Sequence, residues 1–283
     1  MINQFYTPAS PDSVLTTIDF VQNSKNIPLI ASKFDIFEGD YLCKKPIIID
    51  TAEAETATPG TLNDFNAEMQ LSYAAFEQKA ISTSIDVTVQ IANASSFDLV
   101  GEAKTRLPYR ILRKMQSEAF GKGNANGDGD LFQSIPDYKN ATKKVADLSI
   151  AEFTDVTEMF SDYATTNGSL NGAILVVDTL AKAIGLNTGG QEIFKGVKGV
   201  DGIVGTVHGV PVMVQSMNGK ADMILMDPKA YGVAMKSTEL EAFEVTEPST
   251  ETALKGFKFI ECSTNADGKV LNPNGIKIYK AGA

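Results

Sequence analysis

Hydrophobic and polar residues alternate almost without error between Ala80 and Ile91. One set of alternate positions is Ile81, Thr83, Ile85, Val87, Val89 and Ile91, and the other is Ser82, Ser84, Asp86, Thr88 and Gln90. Successive side chains of a β-strand point to opposite faces, so this pattern predicts a strand with one buried face.

The period changes to that of a helix after this strand. Apolar side chains recur every four residues, at Leu99, Ala103, Leu107, Ile111, Met115 and Ala119. This spacing predicts a long amphipathic helix from Ser95 to Phe120, which ends at the glycine-rich, acidic segment Gly121 to Asp130. Pro108 lacks a backbone donor, so we expect a kink or break near Arg106.

A polar segment precedes the alternating strand, with a turn signal at Thr58-Pro59-Gly60-Thr61. The apolar residues Ile47 to Ile49 lie before it, and Met69, Leu71 and Tyr73 lie after it. We predict a long β-hairpin from Lys45 to Ile91, with the alternating strand in its second arm. An isolated two-stranded ribbon is only marginally stable, so this hairpin is expected to need a partner chain.

The predicted helix is basic, although the chain as a whole is acidic. Its positive residues are Lys104, Arg106, Arg110, Arg113 and Lys114. They would either pair with the acidic hairpin of another subunit or form a solvated helix surface, and the sequence leaves both interpretations open. The first interpretation predicts inter-subunit contacts at Glu53, Glu55, Asp64, Glu68, Lys104, Arg106, Arg110 and Arg113.

The rest of the chain mixes helices with short strands, which predicts an α+β fold. The predicted helices are Leu148 to Thr165 and Thr179 to Ile184, the second capped by Asp178. A strand is predicted at Gly172 to Val177, and a glycine-rich loop at Asn187 to Gly205. Further strands are predicted at Val207 to Gln215 and Ala221 to Met226, with an Asn218-Gly219 hairpin signal between them, and at Tyr231 to Met235 and Glu241 to Thr246. A final hairpin is predicted from Gly256 to Cys262 and Gly275 to Tyr279, around a turn at Ala266-Asp267-Gly268.

Composition and charge narrow the function. The chain has 283 residues, 43% of them hydrophobic, and a net charge of −10. No apolar run approaches the roughly 18 residues of a membrane span, and no basic and apolar signal peptide begins the chain. We expect assembly in a cytoplasm, no membrane contact, and no generally basic surface that coats nucleic acid. Cys43 and Cys262 are expected to be buried free thiols, although a long-range disulfide stays open.

The candidate chemical motifs are weak. Asn124 to Gly129 resembles the start of a calcium loop, but Ile135 stands at the twelfth position, where a bidentate Glu belongs. His208 is the only histidine, and no GxSxG motif accompanies it. The glycine-rich segments contain no phosphate-binding motif. We predict no catalytic, cofactor-binding or metal-binding residues.

Two stretches resemble the major capsid proteins of tailed phages, the family with the HK97 fold. In Glu77 to Gly123 an alternating strand runs into a long helix that ends at Gly-Lys-Gly-Asn. In Asn171 to Met235 a strand ending at Asp178 is followed by Gly209-Val210-Pro211-Val212 and then by Asp227-Pro228-Lys229-Ala230-Tyr231, which lacks the glycine usual there. The order of elements carries the resemblance more than any single motif.

The resemblance implies an HK97-like division of the chain. Its parts would be an N-terminal arm (1–44), an extended hairpin or E-loop (45–92), a peripheral domain with the long spine helix (93–147), a compact axial domain (148–246) and a return to the peripheral domain (247–283). The loops between Asn187 and Gly205 would meet around the capsomer axis.

The resemblance also implies a structural function rather than an enzymatic one. Copies of the chain would form hexamers and pentamers and close into the icosahedral head of a tailed double-stranded DNA phage, enclosing DNA without sequence-specific binding. A portal and a separate scaffolding protein would be further partners, and no large cleaved pro-domain is expected. The alternatives are an encapsulin-type compartment shell and, from another class, a small-molecule enzyme.

Overall fold

The structure is a computed structural model of the chain. It describes residues 30–49, 70–88, 99–127, 132–138, 153–184, 187–188, 191–192, 194–200, 202–237, 241–244 and 257–279. The helices are α1 (Leu99–Ser117), α2 (Phe153–Asn167) and α3 (Leu180–Ile184). The strands are β1 (Asp35–Glu38), β2 (Leu42–Ile49), β3 (Gln70–Glu77), β4 (Lys79–Thr88), β5 (Ile174–Val177), β6 (Asn187–Thr188), β7 (Gln191–Glu192), β8 (Phe194–Val200), β9 (Ile203–Val207), β10 (Val210–Val214), β11 (Met223–Met226), β12 (Tyr231–Met235), β13 (Ala242–Glu244), β14 (Phe257–Val270) and β15 (Ile276–Tyr279).

The alternating strand is present as β4, but it is not an arm of the hairpin. The hairpin consists of β2 and β3, paired antiparallel from Leu42↔Glu77 to Ile49↔Gln70. β4 instead pairs antiparallel with β14 in a five-stranded sheet ordered β1-β12-β14-β13, with β4 alongside β14. The prediction of one hairpin from Lys45 to Ile91 was therefore wrong. The chain changes sheets at Gln78, whose amide side chain is buried and donates to the Gly39 carbonyl at 2.8 Å.

The predicted turn at Ala266-Asp267-Gly268 is absent, because β14 runs straight through it. Asp267 is fully buried and accepts a hydrogen bond from the Glu77 amide. Gly268 lies against an aromatic ring: a Cβ there would approach the Tyr231 hydroxyl to 2.5 Å. Residues that are typical of a turn serve long-range packing at this position.

The other large sheet has six strands in the order β15-β11-β5-β10-β9-β8. β15 pairs with β11 rather than with β14, so the predicted C-terminal hairpin was also wrong. The segment predicted as a loop, Asn187 to Gly205, contains β6, β7, β8 and the start of β9 in its described parts. β12, predicted within the axial range 148–246, lies in the five-stranded sheet, whereas β15, predicted in the peripheral return, lies in the six-stranded one.

Two turns of the described residues have positive φ at two consecutive positions. Asn218 and Gly219 have φ values of 52° and 72°, as the hairpin signal predicted, but β5 lies between the two strands that they connect. His208 and Gly209, with φ values of 49° and 83°, instead close a tight hairpin between the paired strands β9 and β10. Positive φ at both central residues is the geometry that two-residue hairpin loops favour.

The spine helix follows its predicted pattern. Ala103, Leu107, Ile111, Met115 and Ala119 are all buried. α1 is continuous through Pro108, so there is no break near Arg106, and a π-helical turn, Glu118–Lys122, ends it. Pro108 cannot donate the backbone hydrogen bond that the carbonyl of Lys104 would accept. Lys104 is exposed, so water can hydrate this carbonyl. The predicted start at Ser95 lies outside the described residues.

Two hydrophobic clusters form most of the core. The larger joins α1 to both sheets, and includes Leu107 and Ile111 from the helix, Ile260 from β14 and Ile224 from β11. The second packs Met159, Phe160 and Tyr163 of α2 against the six-stranded sheet.

Asp178 does not cap α3, contrary to the prediction. Its carboxylate accepts a hydrogen bond from the Met217 amide at 2.7 Å and pairs with Lys182. The predicted α+β class is confirmed.

Truncation of the spine helix at its core face should destabilise the subunit. Leu107 is 0% exposed, so Leu107→Ala should lower the free energy of unfolding by about 2–5 kcal/mol through lost apolar contact and an unfilled cavity. Urea denaturation of the unassembled chain measures this. Lys104→Ala, at an exposed position of the same helix, is the control and should change stability by less than about 0.5 kcal/mol. Equal effects of the two substitutions would contradict the packing described for α1.

Candidate interaction surfaces

The body of the subunit covers one face of the β2–β3 ribbon. Residues paired across the ribbon share a face, so Cys43 and Phe76 point the same way, as do Lys45 and Ala74. This inner face packs on Phe37, Ala234 and Leu271. Lys45 also forms an ion pair with Asp35 and lies 4.3 Å from the centre of the Phe37 ring.

The opposite face of the ribbon is largely apolar and faces solvent. Its exposed members are Leu42, Lys44, Pro46, Leu71, Tyr73, Ala75 and Glu77, which we call the outer ribbon face. Leu42 is 69% exposed, Tyr73 57% and Leu71 56%. Tyr41, at the start of β2, is also 57% exposed, and its hydroxyl donates to Glu77 at 3.3 Å. Contiguous exposed apolar surface of this kind typically marks a protein contact.

A buried ion pair lies where the ribbon joins the body. Asp267 Oδ2 accepts the Glu77 amide at 3.0 Å, and Oδ1 accepts the Lys79 ammonium at 3.1 Å and the Gly268 amide at 2.9 Å. Lys79 Nζ also donates to the Gly127 carbonyl at 2.6 Å, in the turn after α1. The side chains of Asp267 and Lys79 are only 0% and 10% exposed. We call Glu77, Gln78, Lys79 and Asp267 the ribbon joint.

Burial dominates the electrostatics of the ribbon joint. It raises the pKa of the Asp267 carboxyl above its usual value, although the Glu77 amide and the Lys79 charge act in the opposite direction. The pKa of the neighbouring Tyr231 is raised strongly, first by burial and then by the charges of Asp267 and Glu118. The Tyr231 hydroxyl donates to the Gln133 carbonyl at 2.7 Å, which fixes its position in the core.

The basic residues of α1 have different environments. Arg106 pairs with Glu102 at 2.7 Å, Arg110 donates to the Ser84 carbonyl at 3.3 Å, and Lys114 pairs with Glu118 at 2.5 Å. Lys104 and Arg113 are exposed and form no ion pair with any other described residue.

The basic residues do not share a single face of the helix. Arg106, Arg110 and Arg113 have the i, i+4, i+7 spacing of one side, whereas Lys104 lies two residues before Arg106 and therefore on the other side. Their predicted acidic partners Glu53, Glu55, Asp64 and Glu68 lie outside the described residues. The predicted contacts between them stay a prediction.

The weak chemical motifs are structural where the structure describes them. Asn124 Oδ1 accepts the amides of Asn126 and Gly127, so this side chain organises a turn. His208 is exposed in the β9–β10 turn, with its ring 5.5 Å from that of Phe160. Within the described ranges no cluster of His, Cys, Asp and Glu has the arrangement of a metal site.

The cysteines are free thiols, buried at Cys262 and half-buried at Cys43, so the long-range disulfide is not formed. Burial raises the pKa of both thiols. None of the described helices combines the length and the hydropathy needed to span a membrane.

Sequence reasoning missed the outer ribbon face and the ribbon joint. Leu71 and Tyr73 were recognised as strand residues, but alternation alone does not show which face the body covers. Asp267 was assigned to a turn, because its partners Glu77 and Lys79 are far away in the sequence. The mixed pattern of apolar and polar residues on both faces of β2 and β3 is the local signal that could have indicated an apolar outer face.

Comparison with known proteins gives matches over almost the entire chain. A sequence model of the phage capsid family matches residues 18–281. A search of curated proteins gave no match.

Several solved structures share the fold. The capsid of a native GTA particle superposes with a TM-score of 0.63 at 13% identity, covering 90% of this chain and 91% of that one. A chain of Mycobacterium phage Adephagia gives 0.60 at 10% identity, covering 98% and 99% of the two chains. A chain of the mature capsid of bacteriophage PhiM1 gives 0.56 at 14% identity, with coverage of 90% and 87%. At these identities the likeness is one of fold.

The raised pKa of Asp267 makes its contribution to stability depend on pH. Its pKa in the folded chain lies above the ordinary value of 3.8, so the folded state holds this proton more tightly than the unfolded state does. The resulting stabilisation is complete below the ordinary value and is lost as pH rises through the raised pKa. The free energy of unfolding of the natural chain, relative to Asp267→Asn, should therefore decrease with rising pH across this acidic window. Urea denaturation at a series of pH values measures the difference, and a difference that does not change with pH would contradict the prediction.

Proposed function

This chain belongs to the phage capsid family, and from that premise we propose that its copies join into a shell through the outer ribbon face. The chain is a structural major capsid protein of a phage head, with the HK97-like fold that the order of its elements predicted. Hexamers and pentamers would be the assembly units of the closed icosahedral shell.

The observation that carries this proposal is the asymmetry of the ribbon. Its inner face is packed on the body around Phe76, whereas Leu42, Leu71 and Tyr73 expose more than half of their surface on the other face. Burying an exposed apolar side chain of this size contributes about 1.5–3 kcal/mol. If a neighbouring copy covers this face, each subunit of the shell contributes this burial free energy once.

Charge supplies a second element of the proposal. Arg113 lies exposed on α1 and has no ion pair with another described residue. We place it, with Arg106 and Arg110 on the same side of the helix, opposite the acidic residues Glu53, Glu55, Asp64 and Glu68 of a neighbouring hairpin. Lys104, on the other side, cannot join the same contact. Pairs of opposite charge at the rim of an interface mainly align the partners, because solvent screens them.

The remaining partners follow from the role of the shell. We propose that a portal and a separate scaffolding protein act with the chain, and that the shell encloses double-stranded DNA without sequence-specific contacts. The net charge of −10 supports enclosure rather than a basic DNA-coating surface. We also propose that the chain has no catalytic role, since the buried groups Tyr231 and Asp267 are engaged in structural hydrogen bonds.

Removal of the apolar side chains from the outer ribbon face should prevent assembly. Leu71→Thr combined with Tyr73→Thr keeps residues that favour strands but removes most of the exposed apolar surface of β3. The double variant should stay folded and give at least about tenfold fewer particles, because each lost contact weakens association by more than the 1.4 kcal/mol that corresponds to that factor. Sedimentation and electron microscopy of the expressed protein measure the yield.

The matched control is Ser72→Thr, which lies between these residues on the same strand but on the inner side of the ribbon. It should assemble normally. Normal shells from the double variant would exclude the outer ribbon face as the contact.

Reversal of charge on α1 should reveal its acidic partners. Arg113→Glu should slow assembly, and the defect should shrink at high salt, since screening weakens the introduced repulsion. Adding Glu53→Lys and Glu55→Lys should restore assembly if these residues meet Arg113 in a neighbouring copy. Light scattering at two ionic strengths follows the rates, and failure of the combined variant to recover would count against this pairing.

A further inference from the structure

The chain passes from the ribbon into the five-stranded sheet at a corner, the junction between β3 and β4. The chain leaves β3 at Glu77 and enters β4 at Lys79, with only the buried Gln78 between two sheets. The direction of the ribbon therefore depends on the backbone at these residues as well as on the packing of its inner face. A ribbon of only two strands is marginally stable by itself, so it cannot compensate for a wrong angle at the β3–β4 junction.

Asp267 holds the residues on both sides of this corner. One carboxylate oxygen accepts the Glu77 amide, the last of the ribbon, and the other accepts the Lys79 ammonium, the first of β4. Lys79 extends the connection to the Gly127 carbonyl, which belongs to the turn after α1. One buried pair thus connects the ribbon, the five-stranded sheet and the end of the spine helix.

The other arm of the ribbon is fixed at the same place. The Gln78 side chain donates to the Gly39 carbonyl at 2.8 Å, and the Gln78 amide donates to the Tyr41 carbonyl at 3.0 Å. Gly39 and Tyr41 lie in the short segment between β1 and β2. Both roots of the ribbon are therefore held by directional hydrogen bonds rather than by apolar contact alone.

We propose that Asp267 and Lys79 form a latch that sets the angle at which the ribbon leaves the subunit, and so aligns the outer ribbon face with a second copy. The second half of this statement rests on the proposed function; the first half concerns the single subunit. Both residues are positioning residues, because they act on the contact surface through the backbone of Glu77.

The chemistry of the pair favours a role in direction over a role in stability. Burying two charges costs desolvation free energy that their attraction offsets only in part, so an apolar pair would stabilise a core at least as well. An apolar pair would not accept the Glu77 amide or hold the Gly127 carbonyl. Apolar residues could not fix the backbone geometry at the corner as these charges do.

Hydrogen exchange of the unassembled chain tests the latch. Asp267→Asn should raise the exchange of the β3 amides, residues 70–77, by at least about tenfold, because a hydrogen bond to a charged acceptor is lost at the root. Exchange of the core amides of α1 and of residues 223–226 should change much less. Lys79→Met should act in the same direction, since it removes the ammonium but keeps an apolar stem of similar length.

The control removes a more exposed ion pair elsewhere. Lys277 pairs with Asp162 at 3.0 Å between β15 and α2, outside the five-stranded sheet. Lys277→Met should leave the exchange of the ribbon unchanged. If Asp267→Asn does not fold, Lys79→Met decides the question with the same control.

The outcomes separate the latch from the proposed function. Unchanged ribbon exchange in a folded Asp267→Asn or Lys79→Met variant would overturn the latch, and so would an equal increase over the whole chain, which indicates only general destabilisation. In a chain that forms shells, latch variants should give irregular particles, whereas uniform shells would overturn the role in alignment. Absence of shells from the natural chain would refute the proposed function, while the exchange result would still decide whether the corner is latched.

Discussion

A two-stranded ribbon has two faces, and the body of this subunit covers only one of them. The hydrophobic effect favours a cover for the other face, because Leu42, Leu71 and Tyr73 are more than half exposed in the single chain. Neither arm can supply it, since the residues paired across the ribbon share the exposed side. Contact of the exposed side with another copy would remove this apolar surface from water, which is the physical basis of the proposed assembly.

The long strand β14 connects that surface to the core. It pairs with β4 along its length, and with β13 and β12 on its other edge. α1 packs across β14 and β4, so the helix and the root of the ribbon share one rigid support. Lys79 and Asp267 connect the ribbon to this ladder of backbone hydrogen bonds.

Local patterns in the sequence were sufficient for elements, but not for their partners. The alternation from Ala80 and the four-residue spacing of Leu107 and Ile111 describe β4 and α1 correctly, because both patterns arise from the geometry of one segment. Which strand pairs with which depends on contacts far apart in the sequence. Asp267 looked like a turn residue because it stands between Ala266 and Gly268. Its actual partner, the Glu77 amide, is 190 positions away and gives no local signal. The Asn218-Gly219 turn has its predicted backbone, yet β5 separates the strands on either side.

The charges at the ribbon joint affect the orientation of the outer ribbon face. Apolar contacts are non-directional, so the packing of Phe76 on Leu271 would permit a range of ribbon angles with similar free energy. A hydrogen bond weakens steeply when its angle departs from linear, so the bonds at Asp267 restrict that range. In the proposed assembly, an error in the angle of the ribbon displaces its contact with the next copy, and such errors accumulate around a closed shell. A buried carboxylate that adds little to stability is then useful for the angle that it fixes.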